Sequence, residues 1–362
     1  MATNTHIQRG ATRRLASIFL LAAAISGGAL AGRTAIPTQT STAASTPDTT
    51  ATAASAAYGW PVKPFDRQHP VRGSFADPRS VFRGSPTRRG LMTSACACSY
   101  HQGIDISAPD GTPVYPVRSG VVRTVTREWI QVDSDGGTAF QYWHIGPLVR
   151  VGDHVAARET VLGRILRGSQ HVHLTALQDG RPVNPLAPGR IGPYVDTTTP
   201  TVHAITFRAR DVGPDLMPEY LHGRVEIVAA ASDTPAIAVP GKWAGLPVTP
   251  AKLTFHVSSL PQRQTVVSET TAMDVSRTLP PTSDMWHTYA RGTHMNMVQM
   301  GSHRYWYNPG VYLFKLTPTA FDTHRLRDGV YEMTVTAWDT DGNHSTRSQI
   351  FQVHNRASWL KY

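Results

Sequence analysis

From Thr112 to Leu177 the apolar residues recur with a period near two, turn dipeptides interrupt them, and no window has the spacing of an amphipathic helix. Such a segment buries one face only by pairing with other extended segments, so it must build an antiparallel sheet. The alternation predicts strands at 112–117, 120–127, 129–133, 138–145 and 171–177, with Ser134-Asp135-Gly136-Gly137 closing a hairpin and Val151-Gly152-Asp153 and Leu162-Gly163 marking further turns. In Val330–Trp338 the residues Tyr331, Met333, Val335 and Ala337 fall on one face and Glu332, Thr334 and Thr336 on the other. With candidate strands at 202–207, 225–231, 253–257, 311–316 and 348–353, this second region reads as a two-sheet sandwich of immunoglobulin or fibronectin type. Asp339-Thr340-Asp341-Gly342-Asn343 superficially resembles a calcium loop, but His344 stands where such a loop needs Gly and Ile350 where it needs Glu, so it is read as a turn. The fold class is all-β.

The rest of the chain supplies the organisation. Its 362 residues are 40% hydrophobic and 17% charged, a composition compatible with two domains. Residues 1–31 carry Arg9, Arg13 and Arg14, an apolar run from Leu15 to Ile25, and the small-x-small site Ala29-Leu30-Ala31, which is the pattern of a secretory signal peptide. The apolar run is shorter than the roughly 20 residues of a bilayer-spanning helix. A Ser/Thr/Ala/Pro-rich linker follows at 32–57, then a first domain at 58–190 and the sandwich at 200–355. The expectation is a secreted, extracytoplasmic protein with no stable membrane insertion once the signal is removed. Loss of the three signal arginines takes the net charge from +10 to +7; outside a bacterium such an excess faces anionic wall polymers rather than nucleic acid, and no nucleic-acid module is present. Cys96 and Cys98 are the only cysteines, and a local disulfide or free thiols are both open.

Chemistry concentrates in His101-Gln102-Gly103-Ile104-Asp105, Tyr142-Trp143-His144 and His171-Val172-His173. Residues two apart on a strand share a face with side-chain origins about 6.5–7 Å apart, so His171 and His173 can reach a common centre. His101 and Asp105 would stand about 13 Å apart if extended, and can share a centre only if the chain bends, which Gly103 permits. Four imidazoles and one carboxylate suit zinc, which takes nitrogen and oxygen ligands and in catalytic sites leaves one position open. Spacing alone does not divide ligands from proton-transfer groups: both His171 and His173 could bind the metal with His101, leaving Asp105 outside. Of the 16 histidines, His203, His222, His256, His287, His294, His303, His324 and His344 show no comparable pattern and are read as structural or solvated, with His69 and His154 as bystanders. Met295, Met297, Met300 and Trp306 are read as packing of the second domain, with a methionine metal patch as the alternative.

The ordered set His101-x-Gly103-x-Asp105-Ile106, Ala108-Pro109-x-Gly111-Thr112-Pro113-Val114-Tyr115, Gly120-Val121-Val122, Tyr142-x-His144, Val151-Gly152-Asp153-x-Val155 and His171-x-His173 resembles the M23 metallopeptidases, the lysostaphin/LytM family, over about residues 101–186. The resemblance implies a LytM-like antiparallel β domain in which His101, Asp105 and His173 hold Zn2+ while His144 and His171 polarise the water and steady the tetrahedral intermediate. It also implies a zinc metalloendopeptidase that cuts stem-peptide or cross-bridge bonds of peptidoglycan in cell-wall remodelling. The alternatives are a non-catalytic LytM-like regulator and a wall-binding protein whose business lies in the sandwich. The sequence departs from the family pattern at Thr175, where an acidic residue is usual, and at Ser169-Gln170, where a Gly-Pro pair usually precedes the His-x-His.

Overall fold

The computed structural model describes residues 57–80, 98–210, 213–296 and 309–356. Residues 1–56, which hold the expected signal peptide and all of the expected linker but Ala57, and Cys96, Met297, Met300 and Trp306 lie outside these residues. Among the described residues no helix is long and apolar enough to cross a membrane.

The first sheet contains β1 (Val71–Gly73), β2 (Ile104–Ser107), β3 (Gly120–Val125), β4 (Trp129–Ser134), β5 (Thr138–Trp143), β6 (His154–Val155), β7 (His171–Gln178) and β8 (Arg181–Val183). Their order is β1-β2-β7-β5-β4-β3-β6, with β8 paired to β7, and every pairing is antiparallel. Alternation decides what each face carries. Ile104, Ile106, Ile130, Val132, Phe140, Tyr142, Val172, Leu174 and Ala176 are all buried on one side. The other face carries the residues between them: Asp105 on β2 is opposite His173 on β7, His173 is opposite Trp143 on β5, and Trp143 is opposite Trp129 on β4. Strand pairing therefore puts a carboxylate, an imidazole and two indoles in one row across the sheet. The segment before β1 seals the core, with Trp60 fully buried and its Nε1 donating to the Pro193 carbonyl at 2.8 Å.

The second half forms two sheets. One contains β9 (Thr201–Arg208), β10 (Arg224–Ser232) and β13 (Leu313–Lys315); the other runs β12 (Thr265–Asp274), β11 (Lys252–Leu260), β14 (Gly329–Trp338), β15 (His344–Val353). Their inner faces meet, as the 5.3 Å contact between the rings of Phe207 and Phe351 records. The arrangement is a β-sandwich. Strand β12 escaped the sequence reading because of its ten residues only Met273 is buried, so its pattern carries almost no alternation.

Buried residues of both halves join in one connected core, and the contact between them is also polar. Tyr289 Oη donates to the Ala76 carbonyl at 2.9 Å, Tyr100 Oη to Thr288 Oγ1 at 2.8 Å, and the Thr249 amide to Asp77 Oδ1 at 2.9 Å. Burial pushes the Asp77 carboxyl up to about 7, against the pull of Arg79. The stretch 71–80 is thus held by the first sheet on one side and the sandwich on the other.

Asp339 behaves as a turn residue, accepting from the amides of Gly342 and Asn343 at 2.6 and 2.8 Å. Its carboxylate also converges with those of Asp196 and Asp233, one oxygen of each lying within 4.8 Å of the others. Burial pushes Asp233 up to about 8 and Asp339 up to about 6. A carboxyl whose pKa is higher in the fold than in the unfolded chain favours folding when protonated; that contribution is complete below the unfolded value near 4 and is lost as pH rises through the folded one. Asp233→Asn should therefore stabilise the protein at pH 8, on the order of 2 kcal/mol, and change little at pH 4. Thermal unfolding of both proteins at the two pH values checks this, and an equal effect at both would rule out the linkage.

Candidate metal centre and groove

His101 precedes β2 and its Nδ1 lies 2.8 Å from the Ser74 carbonyl, which can only accept, so the proton sits on Nδ1 and Nε2 presents its lone pair inward. His173 projects from β7 with Nε2 2.8 Å from Thr175 Oγ1, and donation to that hydroxyl leaves Nδ1 facing the same centre. His101 Nε2 and His173 Nδ1 are 2.7 Å apart, and Asp105 Oδ1 lies 3.1 and 3.0 Å from them. The second carboxylate oxygen of Asp105 accepts from Arg79 Nη2 at 2.7 Å. Two imidazole lone pairs and a carboxylate oxygen so closely opposed call for a cation among them, and N2O is a donor set that zinc accepts. Each donor also has an outer partner that fixes its orientation, namely Ser74, Thr175 and Arg79.

The protonation states agree with that reading. Burial, helped by the charge of Arg79, lowers His101 to about 3, and burial lowers His173 as well, against the opposing pull of Asp105. Burial works against a charged Asp105, but His101, Arg79 and His171 outweigh it and hold the carboxyl well below its usual range. Neutral imidazoles beside an ionised carboxylate are the forms that bind a metal.

The other two histidines stand beside this centre. His171 Nε2 is 3.5 Å from Asp105 Oδ1, and the His144 and His171 rings are 4.5 Å apart at 42°. Simple alternation would send His144 to the core face, since Trp143 occupies the groove face. A backbone φ of 64° at His144 breaks the alternation and brings its ring beside His171. A non-glycine residue held in the left-handed region costs about 1–3 kcal/mol, a strain that concentrates at functional sites. Burial, then the neighbouring His171, lowers His144 to about 4, so it too is neutral at pH 7.

These side chains open into a groove of about 550 Å³ bordered by Tyr100, Gln102, Gln141, Trp143, Trp243 and Met295. Trp143 stacks on Trp129 with centroids 4.7 Å apart, continuing the metal row across the sheet. Trp243 and Met295 come from the second half of the chain. The Arg72 guanidinium lies 4.1 Å from the Trp243 ring centroid, a cation–π contact worth about 1–2 kcal/mol when desolvated. Arg72 Nη2 also lies 2.7 Å from His171 Nδ1 and donates to the Ser169 carbonyl at 3.1 Å. Burial lowers Arg72 to about 10, still well above neutral pH.

All five histidine and aspartate candidates come together here. The sequence reading missed Arg72, Ser74, Arg79 and Trp243, which carry no motif and reach the site only through tertiary packing; 72–79 reads in sequence merely as a turn-rich stretch. The chain bends at Gly103, as the spacing of His101 and Asp105 requires, without a positive φ. Glycine is needed there for space as well: a Cβ would press into the Leu174 carbonyl and sit 2.9 Å from His173 Nε2. Its missing side chain lets the loop before β2 lie against β7. The fates of the cysteines are partly visible: Cys98 is disulfide-bonded and no described cysteine is free.

Residues 99–185 match the model of peptidase family M23. No curated protein matches the chain in sequence. Among solved structures the chain is similar to a zinc-containing peptidase from Vibrio cholerae, at 23% identity and a TM-score of 0.27 over 36% of this chain and 39% of that one. It is similar to the catalytic domain of lysostaphin from Staphylococcus simulans, at 20% identity and a TM-score of 0.22 over 30% and 89% of the two chains. A third similarity, at 22% identity and a TM-score of 0.27 over 36% and 88%, is to a chain of the SpoIIQ-SpoIIIAH pore-forming complex.

Because Gly103 brings the loop of His101 against His173, Gly103→Ala should weaken zinc binding at least tenfold, an outer-shell magnitude, while the protein stays folded. Competition against a fluorescent zinc chelator, with circular dichroism as the control for folding, measures this; unchanged affinity would refute the close-approach account.

Proposed function

We propose that the protein is a zinc-dependent endopeptidase acting on peptide bonds of peptidoglycan outside the cytoplasm, with His101, Asp105 and His173 as metal ligands and His144 and His171 as the proton-handling pair. The observation that carries the reading is the convergence of three metal-competent donors with two further imidazoles in an open groove, inside the segment that matches peptidase family M23. Zinc bound by these ligands supplies Lewis acidity at neutral pH. The residues supply the rest. His144 and His171 are placed for the two tasks that amide hydrolysis requires: accepting the proton of the attacking water and passing it to the leaving amine, and donating a hydrogen bond to the carbonyl oxygen as it gains negative charge. Asp105 stays ionised between Arg79 and the centre. The outer face of Trp143 beside Gln141 gives the groove an apolar wall with an amide hydrogen-bonding group, a surface suited to an extended peptide.

The family match supports peptide hydrolysis, and the secretory pattern of residues 1–31 together with the positive charge supports a wall substrate with anionic polymers nearby. A non-catalytic relative would be expected to have lost donors, and here the set is complete. His173→Ala should lose both zinc and activity; His144→Ala should keep about one equivalent of zinc and lose activity by a factor on the order of a hundred or more. Metal analysis of each variant, with digestion of purified cross-linked sacculi in the presence and absence of a chelator and mass analysis of the released peptides, reads both quantities. Chelator-sensitive appearance of new amino termini supports the enzyme; zinc bound stoichiometrically with no wall cleaved would favour a regulator.

A further inference from the structure

We propose that Arg79 anchors a carboxylate of the ligand, so that the groove selects acidic peptides whose free carboxylate lies one or two residues from the bond placed at the donor centre. That such a peptide is cut rests on the peptidase reading above; that its carboxylate is bound does not. Charge in the groove does not balance. Among the described residues that line it, Asp105 is the only acidic side chain, while Arg72 and Arg79 are both basic. Thr175, in the same lining, is neutral. At least one positive charge is therefore left over before any metal is counted. Arg72 is 9% exposed and the Arg79 side chain 25% exposed, so water screens this excess only in part. The two guanidiniums also feel one another: burial lowers the proton affinity of Arg72 most, Asp105 restores some of it, and Arg79 takes some away. A partly dehydrated cation without a counter-charge is unfavourable, and an anionic ligand in the groove relieves it.

The two arginines differ in what they have left to offer. Arg72 Nη2 donates to the Ser169 carbonyl and lies against His171, and the Trp243 ring covers the guanidinium. The Arg79 guanidinium is engaged through Nη2 alone, which donates to Asp105 Oδ2 at 2.7 Å, and has no other hydrogen bond to a described residue. Its Nε and Nη1 are not among the buried atoms that lack a partner, so both reach solvent. A guanidinium edge matches the two oxygens of a carboxylate. A carboxamide in the same place would turn its own N–H groups toward those of the arginine, which has donors only. Pairing of Pro78–Arg79 with Ser99–Tyr100, together with the bond to Asp105, holds the arginine in place before anything binds. Only the Asp105 carboxylate stands between the guanidinium and the donor centre, its other oxygen lying 3.1 and 3.0 Å from the two ligand nitrogens. Each residue of an extended chain spans about 3.5 Å, which places the bound carboxylate close to the scissile bond. Arg79 is thus a specificity-determining residue.

The test uses the full chain, freed of metal because zinc could itself bind a carboxylate. Calorimetry measures the binding of two pentapeptides of alanine with acetylated and amidated ends, one carrying a central glutamate and the other a central glutamine. The parent protein should bind the glutamate peptide about tenfold or more tightly than the glutamine peptide, the magnitude of a charge-assisted hydrogen bond. In Arg79→Gln the two should bind within about twofold of one another. No preference in the parent, no binding of the glutamate peptide at millimolar concentration, or a preference that survives in Arg79→Gln would overturn the proposal. Should circular dichroism show that Arg79→Gln fails to fold, Arg79→Lys decides: it keeps the charge without the fork, and the preference should fall about threefold or more, an unchanged preference counting against the anchor. Digestion of sacculi by the zinc-loaded protein is read separately. If no wall is cut while the preference follows Arg79, the carboxylate anchor stands and only the peptidase reading falls; if wall is cut and no preference is seen, the anchor falls alone.

Discussion

The register that sets Asp105 opposite His173 is the constraint on which the rest of the site depends. Side chains alternate along a strand, so a slip of one residue between β2 and β7 would send the carboxylate to the core face and put Ile104 or Ile106 in the groove. The core prevents it: Ile104, Ile106, Val172 and Leu174 are fully buried on the opposite face, and moving them to solvent would forfeit about 1.5–3 kcal/mol for each side chain. The hydrophobic pattern therefore specifies the polar centre indirectly. Gly103 and Gly73 complete the fit, because a Cβ at Gly73 would lie 2.7 Å from Asp105 Oδ2, where the Arg79 guanidinium now binds.

Apart from Thr175, which orients His173 from within β7, the outer partners of the centre come from residues 72–79. Ser74 sets the tautomer of His101, Arg79 binds the outer oxygen of Asp105, and Arg72 meets His171. The same stretch is fastened to the sandwich through Ala76 and Asp77, and through Trp243 above Arg72. The short segment is thus shared between two structures that the sequence presents as separate. A long side chain such as arginine loses about 2 kcal/mol of rotamer entropy when fixed. Packing of both flanks is what offsets this, and it gives the sandwich a physical connection to the groove without any residue of its sheets entering the donor set.

What the sequence made legible follows from which signals are local. Period-two alternation located β3, β4, β5 and β7 and most strands of the sandwich, because one buried face leaves a trace in every second residue. Of the three histidine-bearing motifs, His171-x-His173 was legible for the same reason: its two imidazoles share a face by geometry alone. His144 stood among the candidate imidazoles, but its place beside His171 rested on the resemblance, since alternation alone assigns it to the core face and the left-handed φ that rescues it leaves no mark in residue type. Arg72, Arg79 and Trp243 were invisible because an arginine in a turn-rich stretch, or a tryptophan in a loop, looks alike whether it faces solvent or a metal centre. Asp196 and Asp233 were missed likewise; they meet Asp339 through folding, and only Asp339 stood in a segment that attracted notice.

The departures from the family pattern also acquire a physical meaning. Thr175, where an acidic residue is usual, accepts the His173 Nε2–H with a neutral hydroxyl, so His173 receives orientation without the added basicity a carboxylate partner would confer. In place of Gly-Pro, the turn before β7 is held by Asp110, whose carboxylate accepts the Gly168 and Gln170 amides at 2.6 and 2.8 Å, while Gln170 takes a φ of 52°. That turn carries the Ser169 carbonyl to His171 and Arg72. With one carboxylate fewer and two arginines close by, the centre is more electropositive than its donor set alone would make it. Burial first, and then the positive surrounding with Arg79 beside His101 and Arg72 beside His144, disfavours the imidazolium form of these two histidines. Burial and the surrounding charge thus keep the nitrogens of His101, His144 and His173 available, and a mutation that added a negative charge at position 175 would work against that balance while strengthening the orientation of His173.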